Sequence, residues 1–465
     1  MIRQLSAALL IFFASVGQGC AAPDATDRPN IIMILADDLG WGDLSCYGQR
    51  NWTTPQLDRM AAEGMRFTDA YAGSTVCAPS RATLLTGLHT GHVYMRGNGD
   101  VQFPEDPDEL TIASMLSDAG YATAMIGKSG LACNSTDAML PNRKGFDHFY
   151  GLLAHKAAHR HYPKVLFRNG ELVELAGNSG YLGEQYASEL FVAEALEWIE
   201  AHHEDPFFLH LALTPPHADL TVPDRFAAPF RGRFEENGRG YGGYYKQPEP
   251  RATYAGMVAF IDDAVGQVLQ RLRDIGIDER TVVVFASDNG PAREGGAVIE
   301  FFDSNGPFRG GKRDLYEGGI RTPQLLWAPG FVRAGSETSF VTAFWDLTPT
   351  FLELAGLPTP DSLDGISIVP IMKGATHPPA AATGRHLYWE FHEHGGKQAV
   401  RFGQWKAVRL NVGAVPGGPV ELFDLQADPG EQIDLSERYP EVAAKLAALM
   451  DESRTPSSRF RFGTN

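Results

Sequence analysis

Four apolar runs in this 465-residue chain end in polar residues of kinds that bind charge. Asp37 and Asp38 close "PNIIMILADDLG", Lys128 closes "ATAMIGKSG", His217 closes "PFFLHLALTPPHADL", and Asp288 with Asn289 closes "TVVVFASDNG". Open α/β sheets bind ligands outside the carboxyl ends of their strands, so these six residues are expected to share one crevice. Each has a bland reading: a post-strand Asp is usually a turn residue or a cap, a Lys there is usually solvated, and a His in a proline-rich loop is commonly structural. Coincidence at four run ends lifts the set above those readings. Asp37, Asp38, Asp288 and Asn289 offer only oxygen, which suits a hard cation such as Ca²⁺ or Mg²⁺, whereas zinc normally calls for His or Cys. Adjacent buried carboxylates repel, and a dication relieves that repulsion.

Cys77 stands in "STVCAPSRATLLTG" with no cysteine or histidine close by in sequence. A lone cysteine is usually a buried thiol, but one at a helix N-terminus can be reactive. Arg81 follows one turn later, and a helix expected from about Ser80 supplies N–H groups and a dipole. Lys128 and Lys312, the latter in "RGGKRDLYEGG", add point charges. Together with a cation, these groups can neutralise a tetrahedral sulfate or phosphate ester.

Residues 77–87, "CAPSRATLLTG", resemble the sulfatase signature C-x-P-S-R-x-x-x-L-T-G. The likeness extends through "ADDLGWGDLSCYG", "GYATAMIGK", "KGFDHFYG", "PPH", "SDNG", "RGGKRDLYEGGIRTP" and "ELFDLQADPGE", over nearly the whole chain after its first residues. The chain thus resembles formylglycine-dependent type I sulfatases of the alkaline-phosphatase superfamily. That resemblance implies oxidation of Cys77 to Cα-formylglycine by a maturation enzyme, for which Pro79 and Arg81 match the recognition pattern. It implies that one hydroxyl of the hydrated aldehyde attacks sulfur, that a general acid protonates the departing alcohol, and that the second hydroxyl loses its proton and expels sulfate. Carried over by position, Asp37, Asp38, Asp288, Asn289 and the modified Cys77 hold the metal, Ca²⁺ by similarity. Arg81, Lys128 and Lys312 hold the sulfate and formylglycine oxygens, and His217 matches the leaving-group histidine.

Two departures bear on specificity. The block G-K-W-H-L-G reads "GKSGLAC" here, so Gly130 stands where many relatives carry a catalytic His. His155, His159 and His161 are the replacements on offer. His159 is preferred, because "AAHRHYP" resembles the "AHxYYP" of relatives that share this glycine; it serves as a base or as a substrate contact. After "SDNG", "PAREGGA" puts Ala292 and Ala297 where related chains have histidines.

Positioning these residues calls for an α/β fold. The expected architecture is a large mixed, mostly parallel sheet flanked by helices, alkaline-phosphatase-like, with a small C-terminal α+β subdomain. Strands are expected at 29–40, 122–130, 206–220, 281–290 and 321–330, and amphipathic helices at 188–203 and 252–275. Segments 141–187 and 221–250, rich in Gly, Pro, Tyr and Arg, read as loops that shape a substrate pocket. Beyond residue 384, "RHLYWEFH", "QAVRFGQWKAVRL" and "PVELFDLQADP" read as antiparallel strands, with a helix at 440–451. The expected units are a signal peptide at 1–22, a catalytic domain at 27–380 and a C-terminal subdomain at 384–465.

Arg3, the apolar run from Leu5 to Val16 and the small residues after it read as an export signal, too short to span a bilayer. The expected location is periplasmic or extracellular. Cys20 offers a lipidation site, but "GQGC" has Gly17 at the usual Leu position, and plain cleavage near Ala21 competes with it. Cys46, Cys77 and Cys133 are too widely spaced for a disulfide framework. The net charge of −17 argues against nucleic acid or anionic membrane as a partner, and favours action on chain ends over gripping a long polyanion. The expected substrate is a sulfated small molecule or oligosaccharide. A phosphate or phosphonate ester hydrolase on the same scaffold is the alternative.

Overall fold

The computed structural model describes residues 28–99, 103, 110–132, 140–237, 243–375 and 379–462. The expected signal peptide, Cys20 and Cys133 lie outside the described residues. Strands in the first half are β1 (Asn30–Asp37), β2 (Met65–Phe67), β3 (Ala70–Tyr71), β4 (Ala122–Ala132), β5 (His148–Ala154), β6 (Val165–Arg168), β7 (Glu171–Glu174) and β8 (Phe207–Pro216). Those in the second half are β9 (Thr281–Ser287), β10 (Gln324–Trp327), β11 (Ser336–Thr338), β12 (Thr342–Ala343), β13 (Leu387–Phe391), β14 (Lys397–Phe402), β15 (Trp405–Leu410) and β16 (Glu421–Asp424).

Ten strands form one sheet in the order β11-β2-β10-β9-β1-β8-β4-β5-β6-β7. Its centre, β9-β1-β8-β4-β5, is parallel, while β10 runs antiparallel to β9 and β2. Every residue of β1 is buried, as expected of a parallel strand covered on both faces. Its side chains alternate between two cores. Ile32 and Ile34 join the core packed by the helices Ala187–Ala201 and Pro250–Asp274, while Ile31, Met33 and Leu35 join the one packed by Ile112–Asp118 and Leu347–Leu354. Proline at its start and a stripe from Val258 to Leu272 define the 25-residue helix Pro250–Asp274. No described helix is long and apolar enough to cross a membrane.

The C-terminal strands form an antiparallel sheet, β13-β14-β15-β16. One face takes the helix Pro440–Glu452 through Leu446 and Met450; the other packs Trp389, Val408 and Phe423 against Tyr71 and Trp345.

Segment 141–187, read as loop, holds β5 and the edge hairpin β6–β7. The turn at its tip, Asn169–Gly170, has φ of 49° and 94°, the left-handed pair that Asn-Gly supplies between hairpin strands. The hairpin is mostly exposed, so its residues lack the apolar run that marks the buried strands.

Candidate active site

Register delivers the polar run ends to one place. β1 is central, with β9 on one side and β8 then β4 on the other. Ala36 pairs with Ser287 and Asp37 with Pro216, so Asp37 and Asp38 emerge between Asp288–Asn289 and His217. Lys128 lies inside β4, not at its end. The pairing of β4 with β5 is irregular between Lys128 and Ala132, and Gly127 and Gly130 take φ of 113° and 70°. At Gly130 a Cβ would lie 2.4 Å from Arg81 Cδ, so a side chain on this left-handed backbone would require Arg81 to move off its present position.

Cys77 opens the helix Cys77–Thr86, one turn earlier than the expected start at Ser80. Extended backbone at Val76 precedes it, and Asn98 Oδ1 accepts the Ala78 N–H at 3.0 Å. Asn98 thereby satisfies one of the open donors of the helix end. Both Cys77 and Arg81 are buried. Cys46 and Cys77 are free thiols.

Each cation sits on a carboxylate. Lys128 Nζ meets Asp37 Oδ2 at 2.6 Å, and Lys312 Nζ meets Asp38 Oδ2 at 2.7 Å. Arg81 grips Asp288 Oδ2 through Nε at 2.9 Å and Nη2 at 2.7 Å, and donates to the Lys128 carbonyl at 3.0 Å. Asn289 Nδ2 donates to Asp38 Oδ1 at 2.7 Å. Two buried oxygens in this cluster, Asp37 Oδ1 and Asn289 Oδ1, have no hydrogen-bond partner. Burial would raise the Asp37 pKa, but Lys128, His217, Arg81 and Lys312 hold it well below the usual carboxylate range. Burial and the negative Asp37 push Asp288 well above that range; Asp38 is raised by burial chiefly, with Asp37 and Glu294 adding to it. One ligand atom from each of Asp37, Cys77 and Asp288 lie within 4.8 Å of one another, as do those of Asp37, Asp38 and His217. Converging oxygens, two of them orphaned, and mutually repelling carboxylates fit a hard dication.

The histidines have separate positions. His155 is buried, with Nε2 3.6 Å and Nδ1 3.8 Å from Cys77 Sγ. His159 stacks on His217 at 4.3 Å between ring centroids, and its buried Nε2 has no hydrogen-bond partner. His161 is committed to packing: Nδ1 meets Thr214 Oγ1 at 3.0 Å and Nε2 meets the His217 carbonyl at 2.8 Å. Burial, then the positive Lys128, pushes His155 down to about 3 and His159 down to about 2. His217 turns Nδ1 to the Ala218 carbonyl and Nε2 toward Asp38 Oδ2, 3.4 Å away. Ala297 is buried and offers no polar group. The preferred replacement for the missing histidine, His159, therefore lies against His217, and His155 lies against Cys77. Sequence spacing carried no signal for this, because residues 77 and 155 are joined only through the sheet. Asn98 had no signal either.

A second cluster, His89, His92 and Asp364, places nitrogen and carboxylate atoms within 4.8 Å. His89 Nδ1 accepts the Gly91 N–H at 3.1 Å, which puts the ring proton on Nε2, the atom facing Asp364 Oδ2 at 3.7 Å. A metal-bound histidine instead donates from its other nitrogen. The cluster therefore reads as loop bracing, with His92 Nδ1 on Asp364 Oδ1 at 2.8 Å.

Residues 29–357 match the family model described as Sulfatase, and residues 308–455 match that described as N-sulphoglucosamine sulphohydrolase, C-terminal. N-acetylgalactosamine-6-sulfatase of Canis lupus familiaris is 32% identical, over 92% of this chain and 85% of its own length. Arylsulfatase A of Homo sapiens is 31% identical over 95% and 89%. The solved structure of Ps i-CgsB in complex with k-i-k-neocarrahexaose superposes with a TM-score of 0.77 at 30% identity, over 91% of this chain and 92% of that one.

Proposed function

We propose that this chain, which belongs to the sulfatase family and is a sulfuric ester hydrolase, releases inorganic sulfate from a sulfated sugar. The observation that carries the reading is the convergence of Arg81, Lys128 and Lys312 with Asp37, Asp38 and Asp288 around Cys77 in a buried crevice. Asp37, Asp38, Asp288, Asn289 and the modified residue 77 would hold the dication, Ca²⁺ or Mg²⁺. When present, the dication supplies charge for the ester oxygens, and formylglycine derived from Cys77 supplies a hydrated aldehyde as nucleophile.

The chain's own side chains do the rest. Arg81, Lys128 and Lys312 hold the sulfate oxygens and offset the charge that develops on them. His217 is assigned the departing sugar oxygen through Nε2; Nδ1 donates to the Ala218 carbonyl, so Nε2 gives up a proton only when the ring is the imidazolium, which Asp38 Oδ2, 3.4 Å away, would favour. His155 is assigned the proton exchanged with residue 77, because its Nε2 and Nδ1 lie 3.6 and 3.8 Å from Cys77 Sγ. His159 backs His217 by stacking. A sugar is favoured over a bare aryl group by the aromatic and arginine-rich loops around the crevice, and by the sugars named for two of the similar proteins, N-acetylgalactosamine-6-sulfatase and the Ps i-CgsB complex. Residues 1–22 support export, and the motif at 77–81 supports an encounter with a formylglycine-generating enzyme.

The test is a panel assay on the matured enzyme. Defined sulfated mono- and oligosaccharides, 4-nitrophenyl sulfate, and the matching phosphate and phosphonate esters are compared by kcat/KM. At least one sulfated sugar is expected to exceed every other class by more than about tenfold. A phosphonate or phosphate ester at the top of the ranking overturns the sugar-sulfatase reading.

A further inference from the structure

We propose that Tyr181, Tyr244 and Tyr245, with the ion pair Arg160–Asp219, form a second saccharide subsite that accepts an unsulfated ring beside the sulfated one. The proposal rests on the sugar-sulfatase reading above and adds the chemistry of the neighbouring unit.

Position comes first. The Tyr244 ring lies 6.1 Å from the His217 ring and 5.7 Å from the His159 ring, centroid to centroid. His217 faces the departing sugar oxygen, so the sugar that carries this oxygen must extend past Tyr244. Tyr245 follows directly, and its ring is 5.8 Å from that of Tyr181. Tyr181 arrives from a different loop and is 39% exposed. It is held there by Arg160, whose guanidinium lies 4.0 Å from the Tyr181 ring centre and whose Nη2 donates to the Tyr181 hydroxyl at 3.0 Å. Two loops thus deliver aromatic surface on the leaving-group side of the crevice, and a third supplies the arginine that holds Tyr181. Rings that served only to pack the loops would be covered; Tyr181 and the adjoining Leu182, 49% exposed, are not.

Charge then selects the ligand. Asp219 is buried, with Oδ2 on Arg160 and Oδ1 accepting the Tyr245 N–H at 2.6 Å. Arg160 is therefore neutralised where it meets the shelf. Arg313, following the sulfate-side Lys312, is likewise paired, with Glu294. An aromatic surface beside a neutralised cation suits the C–H face of a sugar ring. It suits a second sulfate less, because Arg160 is already committed to Asp219.

The experiment uses the panel sugar with the highest kcat/KM in three forms: the free sulfated monosaccharide, the same sugar linked to unsulfated galactose, and the same disaccharide with a sulfate added to the galactose. Wild-type enzyme is expected to prefer the unsulfated disaccharide to both other forms. Tyr181→Ala and Tyr245→Ala are expected to reduce the ratio of disaccharide to monosaccharide kcat/KM about three- to tenfold, and Tyr181→Phe to retain it. Circular dichroism and aldehyde content of each variant verify folding and maturation. An unchanged ratio in both alanine variants, or a preference for the doubly sulfated form, overturns the subsite while leaving the sugar-sulfatase reading intact. Absence of turnover with every sugar overturns that reading first, and the subsite with it.

Discussion

Two clusters of buried charge in this molecule use the same ingredients and differ in how far their carboxylates are satisfied. One lies under the C-terminal sheet, centred on Glu317. Its Oε1 meets Lys406 Nζ at 2.8 Å; its Oε2 accepts from the Tyr71 hydroxyl at 2.6 Å and from Arg321 at 3.2 Å. Burial alone would raise the Glu317 pKa, but Lys406, Arg321 and Arg401 hold it down at about 2. The other is the crevice at the carboxyl ends of β1, β8 and β9. There two oxygens are orphaned, and Asp38 and Asp288 are driven upward while Asp37 is driven down. A largely satisfied buried cluster braces two layers of the fold; its one orphaned oxygen is Glu431 Oε1, 2.9 Å from Lys406 Nζ. An under-satisfied one is costly unless a further positive charge completes it. The contrast, two orphaned oxygens against one, marks the crevice as the less satisfied of the two.

The largest effects should come from breaking each cluster and reading both activity and stability. Cys77→Ala is expected to abolish sulfate release while changing the unfolding free energy by about 1 kcal/mol or less, since the lost side chain is small. Glu317→Ala is expected to cost about 3 kcal/mol, because it leaves Lys406 and Arg321 facing a buried gap. Urea unfolding and turnover on both variants check this. Equal stability losses in the two would dissolve the comparison.

Within the crevice, His155 and His159 sharpen it further. His155→Ala is expected to lower kcat about a hundredfold, the scale of a lost proton-transfer group, and His159→Ala less than about tenfold. Steady-state kinetics on the best panel sugar decide it; the reverse ranking would return the assignment to His159.

The smallest effect concerns Glu431, which shares Lys406 with Glu317 at 2.9 Å. Burial raises its pKa from 4.5 to about 7, Glu317 adding to the rise against the pull of Lys406. The folded state therefore binds this proton more tightly than the unfolded chain. The resulting stability is fully present below about pH 4.5 and is lost as pH rises through 7. Wild type relative to Glu431→Gln should lose roughly 1–3 kcal/mol between pH 5 and pH 8. Thermal unfolding at the two pH values measures it, and a constant difference would show that Glu431 does not titrate in this range.

Local pattern made much of this molecule legible. The apolar runs of β1, β8 and β9 are long because both faces of the central sheet are covered, and their polar ends stand out for the same reason. The stripe along Pro250–Asp274 marks a helix because its period is local. The 77–87 block identified the chemistry, since its residue types and spacing are contiguous. Less was legible where burial is weak or geometry irregular. The β6–β7 hairpin is exposed, and only its Asn-Gly turn announces it. Lys128 read as a strand terminus because Gly127 and Gly130 interrupt the pattern, yet β4 continues past it through a distorted stretch.

Sequence by itself determined the class of fold, the reactive block and the set of charged residues, all of which follow from neighbours within a few positions. Only the tertiary structure decided which of those residues touch. It set His155, not His159, against Cys77, packed Arg81 where a side chain at Gly130 would begin, and brought Tyr181 beside Tyr245 from separate loops. The physical reason is that strand order and register carry residues far apart in the chain to within a few ångströms, and the path of each loop over the sheet depends on the whole core beneath it.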